Sequence, residues 1–182
     1  MKSKLPLFNN PEQEEEVNVT NLISALEQQE RALVFSGFDE EAAYRLGTAL
    51  RELAAAERAP VVIDIRTANR RLYFAALPGS APDNDEWARR KGNMTLRKQC
   101  SSLLCGERLA VKGKEVGPDM GLDPLDYAAH GGSFPVRVGG VGVVAVITVS
   151  GLPARDDHEL IVRALASHLE VQNIGLDTLL AG

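Results

Sequence analysis

The side chains best able to do chemistry lie in three short blocks of the chain, residues 79–91, 126–132 and 147–158. Each block holds polar and ionisable residues where one predicted element ends and the next begins. Functional groups are often presented at such junctions, because a loop beside a rigid element leaves its side chains accessible. The candidate site residues of this protein therefore come from these three blocks.

His158 directly follows Asp157 in the third block. A neighbouring carboxylate can orient an imidazole ring or raise its pKa, so the two residues could form a catalytic acid/base pair. His158 could also be an axial ligand of haem iron. The alternative is a histidine at the surface or at a subunit contact.

Ser150 and Gly151 end a predicted strand just before a helix begins. The free backbone N–H groups of such a turn can hold a carboxylate or phosphate, and Arg155 could add a charge-assisted hydrogen bond. The alternative is that Ser150, Asp156 and Asp157 cap the helix and already satisfy those donors. The acidic pair would also oppose an anion, which favours capping.

His130 precedes the pair Gly131 and Gly132 in the second block. Glycines lack a Cβ atom, so they let the backbone approach a bound ligand closely. This pattern predicts a ligand or cofactor contact at His130, Gly131 and Gly132. The alternative is a simple turn.

Arg90 and Lys91 lie one turn inside a helix that is predicted to begin after Asp85 as its N-cap. If these cations face a pocket, they can bind the acid groups of a ligand. Trp87 could stack on a planar ligand or pack against other side chains. The alternative is an ordinary capped helix with charged residues on its surface.

The chain has 182 residues, of which 45% are hydrophobic, and a formal net charge of −5 at pH 7. This length and apolar content suit one domain with a sizeable core. Acidic residues outnumber basic residues, so the chain lacks the excess of Lys and Arg that is typical of nucleic-acid-binding proteins. We therefore expect no nucleic-acid partner. The longest apolar run, residues 141–149, is about half a membrane span, so we expect no membrane partner. The N-terminus lacks the apolar stretch of a secretory signal, and we expect a cytoplasmic protein.

The only cysteines, Cys100 and Cys105, are five residues apart. On a helix, that spacing points two side chains well away from each other. The sequence therefore supports neither a disulfide framework nor a thiolate metal site, and predicts two buried or half-buried thiols in a reducing compartment. The three histidines also lack zinc-ligand spacing, so we expect no metal site.

Hydrophobic periodicity predicts an α+β protein. We expect a flexible lead-in at residues 1–17 and a single domain at residues 18–182. Each predicted helix or strand is indicated by a capping residue, a turn residue or an alternation of apolar and polar residues. The helices are residues 18–31, 39–57 with Asp39 as N-cap, 86–105, and a last one with Pro153 in its first turn. The strands are a short piece at 32–35, a hairpin of 61–66 and 72–77, and a second hairpin of 134–138 and 141–149.

Two further features predict how the sheet is arranged. Pro135 cannot donate a ladder hydrogen bond, so its strand is an edge strand or is bonded on one side at that point. The run 141–149 is apolar on both pleat faces, so it should be a central strand covered on both sides.

The residues of the three blocks, taken in order, resemble the haem-degrading-domain (GlcG/HbpS-like) superfamily, in a branch of small bacterial and fungal proteins. The resemblance spans roughly residues 40–170. It implies a profilin-like α+β fold, an antiparallel sheet with helices packed against it. It also implies a homo-oligomer from a group that includes haem-binding proteins.

These observations leave three functions open. The first is a homo-oligomeric binding protein that holds haem or another anionic small molecule, with His130 or His158 near the metal and Arg90 or Lys91 on the acid groups. The second is an enzyme acting on a small organic acid through His158 and Asp157. The third is an assembly protein without small-molecule chemistry, whose polar blocks are subunit contacts.

Overall fold

A computed structural model describes residues 11–181, with side chains from residue 19 onward. The elements form six α-helices and five strands within this range. In chain order they are α1 (Pro11–Ala32), β1 (Val34–Phe35), α2 (Glu40–Ala56), β2 (Val62–Arg66), β3 (Arg71–Ala76), α3 (Asp83–Lys98), α4 (Ser102–Val111), a 3-10 turn (Pro118–Met120), β4 (Ser133–Val138), β5 (Gly142–Ser150), α5 (Ala154–Leu169) and α6 (Leu176–Leu180). None of the helices in this part of the chain is long and apolar enough to cross a membrane.

The strands form one sheet in the order β1-β4-β5-β2-β3. All neighbours are antiparallel except the two-residue strand β1, which runs parallel to β4. The predicted α+β fold with an antiparallel sheet and packed helices is therefore confirmed, with one short parallel edge added.

One face of the sheet carries the main hydrophobic core. Along β2 and the residue before it, the alternate residues Val61, Ile63 and Ile65 point to this face and are fully buried. Helices α2 and α5 cover them and bury apolar stripes of their own. Helix α2 begins where the sequence predicts, because the Asp39 carboxylate accepts a hydrogen bond from the N–H of Ala42 at 2.8 Å.

The opposite face of the sheet is more polar and lies under α3. The buried side chains of Asp64, Thr148 and Ser150 alternate with the core residues of β2 and β5. Polar groups in such a layer need hydrogen-bond partners: Asp64 accepts a hydrogen bond from Arg71 at 2.8 Å, and Thr148 donates one to Ser133 at 2.9 Å. This polar layer is where the candidate site residues converge.

Strand β5 lies between β4 and β2, with α5 on one face and α3 on the other. The prediction of a central strand covered on both sides is therefore confirmed. Pro135 lies on β4 beyond the point where β1 pairs, because β1 contacts only Arg137 and Val138. The strand is thus bonded on one side at the proline, as expected.

The chain departs from the predicted elements at four boundaries. Helix α1 begins at Pro11 rather than at residue 18, and the rest of the expected lead-in lies outside the described residues. The predicted helix 86–105 is two helices, α3 and α4. Asp85 is not the N-cap of α3 but lies in its first turn, where it accepts a hydrogen bond from Arg71 at 3.0 Å. Pro153 is the N-cap of α5, which the short helix α6 follows.

Candidate ligand-binding site

A buried ion pair between Lys91 and Asp157 lies at the centre of the candidate site. Both side chains are 3% exposed, and Lys91 Nζ lies 3.0 Å from Asp157 Oδ2. The ammonium group also donates to the carbonyl oxygens of Gly131, at 3.0 Å, and Val149, at 2.7 Å. An ammonium group has three N–H donors, so all of them are used. Lys91 therefore joins α3 to the glycine turn, the end of β5 and the start of α5.

The same carboxylate occupies the backbone donors that were candidates for an external anion. Asp157 accepts hydrogen bonds from the N–H of Gly151 at 3.3 Å and of Leu152 at 2.9 Å. Asp157 thus satisfies the turn after Ser150, as the capping alternative predicted, while Asp156 stays at the surface. Lys91 faces this internal carboxylate.

Burial and attraction act in opposite directions on this ion pair. Burial raises the pKa of the Asp157 carboxyl and lowers the pKa of the Lys91 ammonium, and the opposite charge of the partner counters each shift. Three donors surround the carboxylate and three acceptors surround the ammonium. The hydrogen bonds and the partner charge therefore offset part of the desolvation of both charges.

His158 lies in the core rather than in this site. Its ring is fully buried, with Nε2 2.8 Å from Gln29 Oε1 and the ring centre 5.7 Å from that of Phe134. Burial lowers the pKa of His158 to about 3, so the ring is neutral at pH 7. Adjacent residues on a helix point about 100° apart. Asp157 therefore reaches Lys91 while His158 reaches Gln29, and the expected acid/base pair is not assembled in the structure.

His130 is exposed at the start of the glycine turn. Its ring lies edge-on to Trp87, with 5.2 Å between ring centres, and the Arg90 guanidinium lies 4.5 Å from the centre of the same indole. Partial burial, followed by the charges of Lys91 and Arg90, lowers the pKa of His130 below its usual value. The ring is therefore mainly neutral at pH 7, the form in which imidazole binds a metal.

Two cavities meet at His130. The smaller, of about 260 Å³, contains most of the residues that the sequence singled out. We call it the Lys91 pocket, and its wall is formed by Asn84, Trp87, Lys91, His130, Gly131, Ser150, Gly151, Leu152, Ala154 and Asp157.

The larger cavity, of about 660 Å³, has a mixed wall of apolar residues, the cations Arg90 and Lys114, and the acidic Glu115. We call it the His130 pocket. Its wall is formed by Arg90, Gly106, Leu109, Ala110, Gly113, Lys114, Glu115, Val116, Pro124, Tyr127, Ala128, Ala129 and His130. Arg90 lines this pocket, and its buried Nε has no hydrogen-bond partner within residues 19–181.

The two glycines of the turn are required by close packing. A Cβ atom on Gly131 would lie 2.1 Å from the carbonyl oxygen of Ala154. Gly132 has φ of +111°, and a Cβ atom there would lie 2.5 Å from the carbonyl oxygen of Val149. Gly131 lines the Lys91 pocket, whereas Gly132 is in the wall of neither cavity.

Sequence reasoning missed the apolar wall of the His130 pocket. Leu109 and Ala110 come from α4, and Val116 comes from a segment that the sequence identified only as a loop. Tyr127 could have indicated this wall, because it is a large aromatic residue in the same block as His130. The partner of His158 was also missed, because Gln29 is 129 residues away along the chain.

The fold and the site geometry define an α+β sheet domain of a type seen in solved structures. The crystal structure of the Ybr137w protein is similar with a TM-score of 0.72 and 31% identity, covering 81% of this chain and 87% of that one. The crystal structure of HbpS is similar with a TM-score of 0.59 and 26% identity, covering 74% of this chain and 92% of that one.

Sequence comparison defines the family more closely. Residues 38–166 match the family described as haem degrading protein HbpS-like. A UPF0303 protein of Streptomyces coelicolor is 53% identical over 143 residues, covering 79% of this chain and 90% of that protein. The chain therefore belongs to the HbpS-like haem-degrading protein family, which confirms the resemblance carried by the three blocks.

Proposed function

We propose that this protein binds haem, or another planar anionic molecule of similar size, in the His130 pocket, and that it works as a homo-oligomer. The observation that carries the proposal is His130, an exposed and mainly neutral imidazole in the wall of both cavities. A histidine nitrogen is a common axial ligand of haem iron. Membership of the HbpS-like haem-degrading family supports the same ligand.

The residues around His130 fit such a ligand. The pocket volume of about 660 Å³ lies within the range usual for small-molecule and cofactor sites. Leu109, Val116 and Tyr127 offer apolar surface to a flat ring system. Arg90 and Lys114 offer positive charge to carboxylates such as the haem propionates.

Bound haem would supply the redox and oxygen chemistry of its iron, while the protein sets the environment of that iron. His130 would present its ring nitrogen, and Trp87 restrains the orientation of that ring from the side. Arg90 would hold an acid group at the pocket wall. The proposal places the protein in the cytoplasm, where a reducing environment keeps thiols such as those of Cys100 and Cys105 reduced.

The enzyme proposed from His158 and Asp157 has less support. His158 has no exposed surface, and the Asp157 carboxylate is bound by Lys91 and two backbone N–H groups. A substrate would have to displace core contacts to reach either group. A binding role centred on His130 uses side chains that are already accessible.

A haemin titration of the purified full chain, followed by the Soret absorption, tests the proposal. We expect saturable binding by the natural sequence. His130→Ala should weaken the apparent Kd by roughly tenfold or more, which corresponds to about 1.4 kcal/mol. His168→Ala is the matched control, because His168 lies on the surface in the wall of neither cavity and should leave the titration unchanged. A flat titration of the natural sequence, or equal Kd values for His130→Ala and the natural sequence, would contradict haem binding at His130.

A further inference from the structure

The two cysteines lie next to each other in the structure, although their spacing predicted that they point apart. Cys100 Sγ and Cys105 Sγ are 3.2 Å apart. On a continuous helix, residues five apart would point about 140° away from each other. Here α3 ends at Lys98, its C-cap Gln99 has a left-handed backbone with φ of 59°, and α4 begins after Ser101. The break between the helices turns the chain and brings the two thiols together.

Cys100 is only 7% exposed, but it lies in a cavity wall and its surroundings favour the thiolate. Cys100 lines a cavity of about 630 Å³ that shares no wall residue with the His130 pocket. Arg108 Nη1 lies 3.9 Å from Cys100 Sγ. Cys100 also lies just before the N-terminus of α4, where the helix dipole stabilises negative charge. The facing acid is Glu30, whose carboxylate accepts a hydrogen bond from the N–H of Ser101 at 2.7 Å.

The two thiols differ in acidity: one has a lowered pKa and the other a raised pKa, as in a redox pair with one attacking and one resolving thiol. The hydrogen bond with Cys105 lowers the pKa of Cys100, and Arg108 adds to this effect, whereas burial and Glu30 oppose it. The same hydrogen bond, together with burial, raises the pKa of Cys105. Cys100 is therefore the thiol that ionises first, and Cys105 is the thiol held beside it.

We propose that Cys100 and Cys105 are a reversible redox site, in which a peroxide oxidises Cys100 and Cys105 then closes a disulfide with it. In the first step the Cys100 thiolate attacks a peroxide oxygen, the O–O bond breaks, and the leaving oxygen takes up a proton. For hydrogen peroxide the products are a Cys100 sulfenic acid and water. In the second step Cys105 sulfur attacks Cys100 sulfur, the S–O bond breaks, and a second water leaves with the Cys105 proton.

The geometry requires only a small movement for the second step. A disulfide bond is about 2.05 Å long, so the sulfur atoms must approach by about 1.2 Å from their separation of 3.2 Å. The linkage closes a loop of a few residues at the junction of two helices. The two electrons removed from the thiols reduce the peroxide, and a dithiol reductant restores both thiols.

Thiol counting on the full chain tests this site, because the protein has two cysteines in all. After exposure to one equivalent of hydrogen peroxide, we expect the denatured protein to show loss of both free thiols and a monomer mass lower by two hydrogen atoms. Dithiothreitol should restore both. In Cys105→Ser the reaction should stop at a Cys100 sulfenic acid that dimedone traps. In Cys100→Ser the Cys105 thiol should survive the same exposure.

Three results would overturn the proposal. The first is that the natural sequence keeps both thiols under this exposure. The second is that its oxidation yields sulfinic acid or disulfide-linked dimers without the two-hydrogen mass loss. The third is that Cys100→Ser loses its thiol as fast as Cys105→Ser. The mass change of the natural sequence does not depend on the folding of either variant, and circular dichroism checks that the variants fold.

Discussion

Lys91 and Asp157 show how residues that look like binding groups can serve the structure instead. Each is a charged side chain in a pocket wall, and each is bound on several sides by its own protein. A buried charge without its partner is costly, since the low-dielectric interior gives it little solvation. The pair therefore links α3 and α5 through contacts that cannot be removed singly without a penalty.

We predict that Lys91→Met lowers the free energy of unfolding by about 3–5 kcal/mol, because methionine fills the space but leaves Asp157 buried without its cation. Chemical denaturation at pH 7 measures the change. Arg155→Gln is the matched control, since it removes a cation whose ion pair with Asp177 is exposed and should matter little. Equal small losses in both variants would show that the buried pair does not stabilise the fold.

The lowered pKa of His158 predicts that the free energy of unfolding depends on pH. Its pKa of about 3 in the folded protein is below the value of about 6.5 expected in the unfolded chain. Between these values the unfolded chain binds the proton and the folded protein does not. The stabilisation is therefore fully present above about pH 6.5 and is lost as the pH falls towards 3, with a slope of up to about 1.4 kcal/mol per pH unit.

Denaturation curves at several pH values between 4 and 7 measure this slope. His158→Gln removes the titrating ring, so its free energy of unfolding should vary less steeply with pH than that of the natural sequence. His168→Gln is the matched control at the surface. An unchanged slope in His158→Gln would mean that His158 accepts a proton in the folded protein as readily as in the unfolded chain.

At the scale of elements, two helices on opposite faces of the sheet build the candidate site. Helix α3 covers the polar face and α5 covers the apolar core. Their side chains meet beyond the end of β5, where the strand no longer separates them. Helix α4 then closes the His130 pocket by packing against the chain segment that carries His130.

The close approach of α4 depends on Gly106. A Cβ atom at Gly106 would lie 2.3 Å from the carbonyl oxygen of Ala129. We predict that Gly106→Ala forces α4 away from this backbone and lowers the free energy of unfolding by about 1–3 kcal/mol. Haemin affinity should fall as well, because the same helix forms the pocket wall.

Gly37→Ala is the matched control for this helix contact. A Cβ atom at Gly37 would meet nothing within 4 Å, so the free energy of unfolding should stay the same or rise slightly. Denaturation and the haemin titration are run on both variants. If Gly106→Ala is as stable as Gly37→Ala, the packing of α4 does not depend on the glycine.

At the scale of the whole molecule, the open edge of the sheet supports the proposed self-association. Among residues 11–181, β3 is the last strand on its side of the sheet, so its outer backbone groups have no neighbouring strand there. Two aromatic side chains flank this edge and are exposed, Phe74 by 40% and Tyr44 by 60%. Exposed apolar side chains beside an open edge are typical of a symmetric subunit contact.

We predict that the natural sequence is larger than a monomer in light scattering coupled to size-exclusion chromatography, and that Phe74→Lys lowers this mass. Leu125→Lys is the matched control, since Leu125 is 77% exposed but lies in a turn rather than in a strand of the sheet. A monomeric natural sequence would contradict the homo-oligomer. A mass that Leu125→Lys lowers and Phe74→Lys does not would place the contact elsewhere.

The sequence by itself determined the features that depend on neighbouring residues. The cap at Asp39, the alternation that buries Ile63 and Ile65, and the two-faced apolar strand β5 were all predictable from local pattern. The three blocks were sufficient to place the chain in its family. Such features follow from periodicity and backbone chemistry, which act over a few residues.

Only the tertiary structure decided which groups are partners. Asp157 bonds to Lys91, 66 residues away, rather than to the adjacent His158, which finds Gln29 at a distance of 129 residues. Cys100 and Cys105 became neighbours because the chain leaves the helix at Gln99. A side chain's partner depends on which elements pack against its own and at what angle. That information lies in the packing of the whole domain, because the contacts that select each partner come from distant parts of the chain.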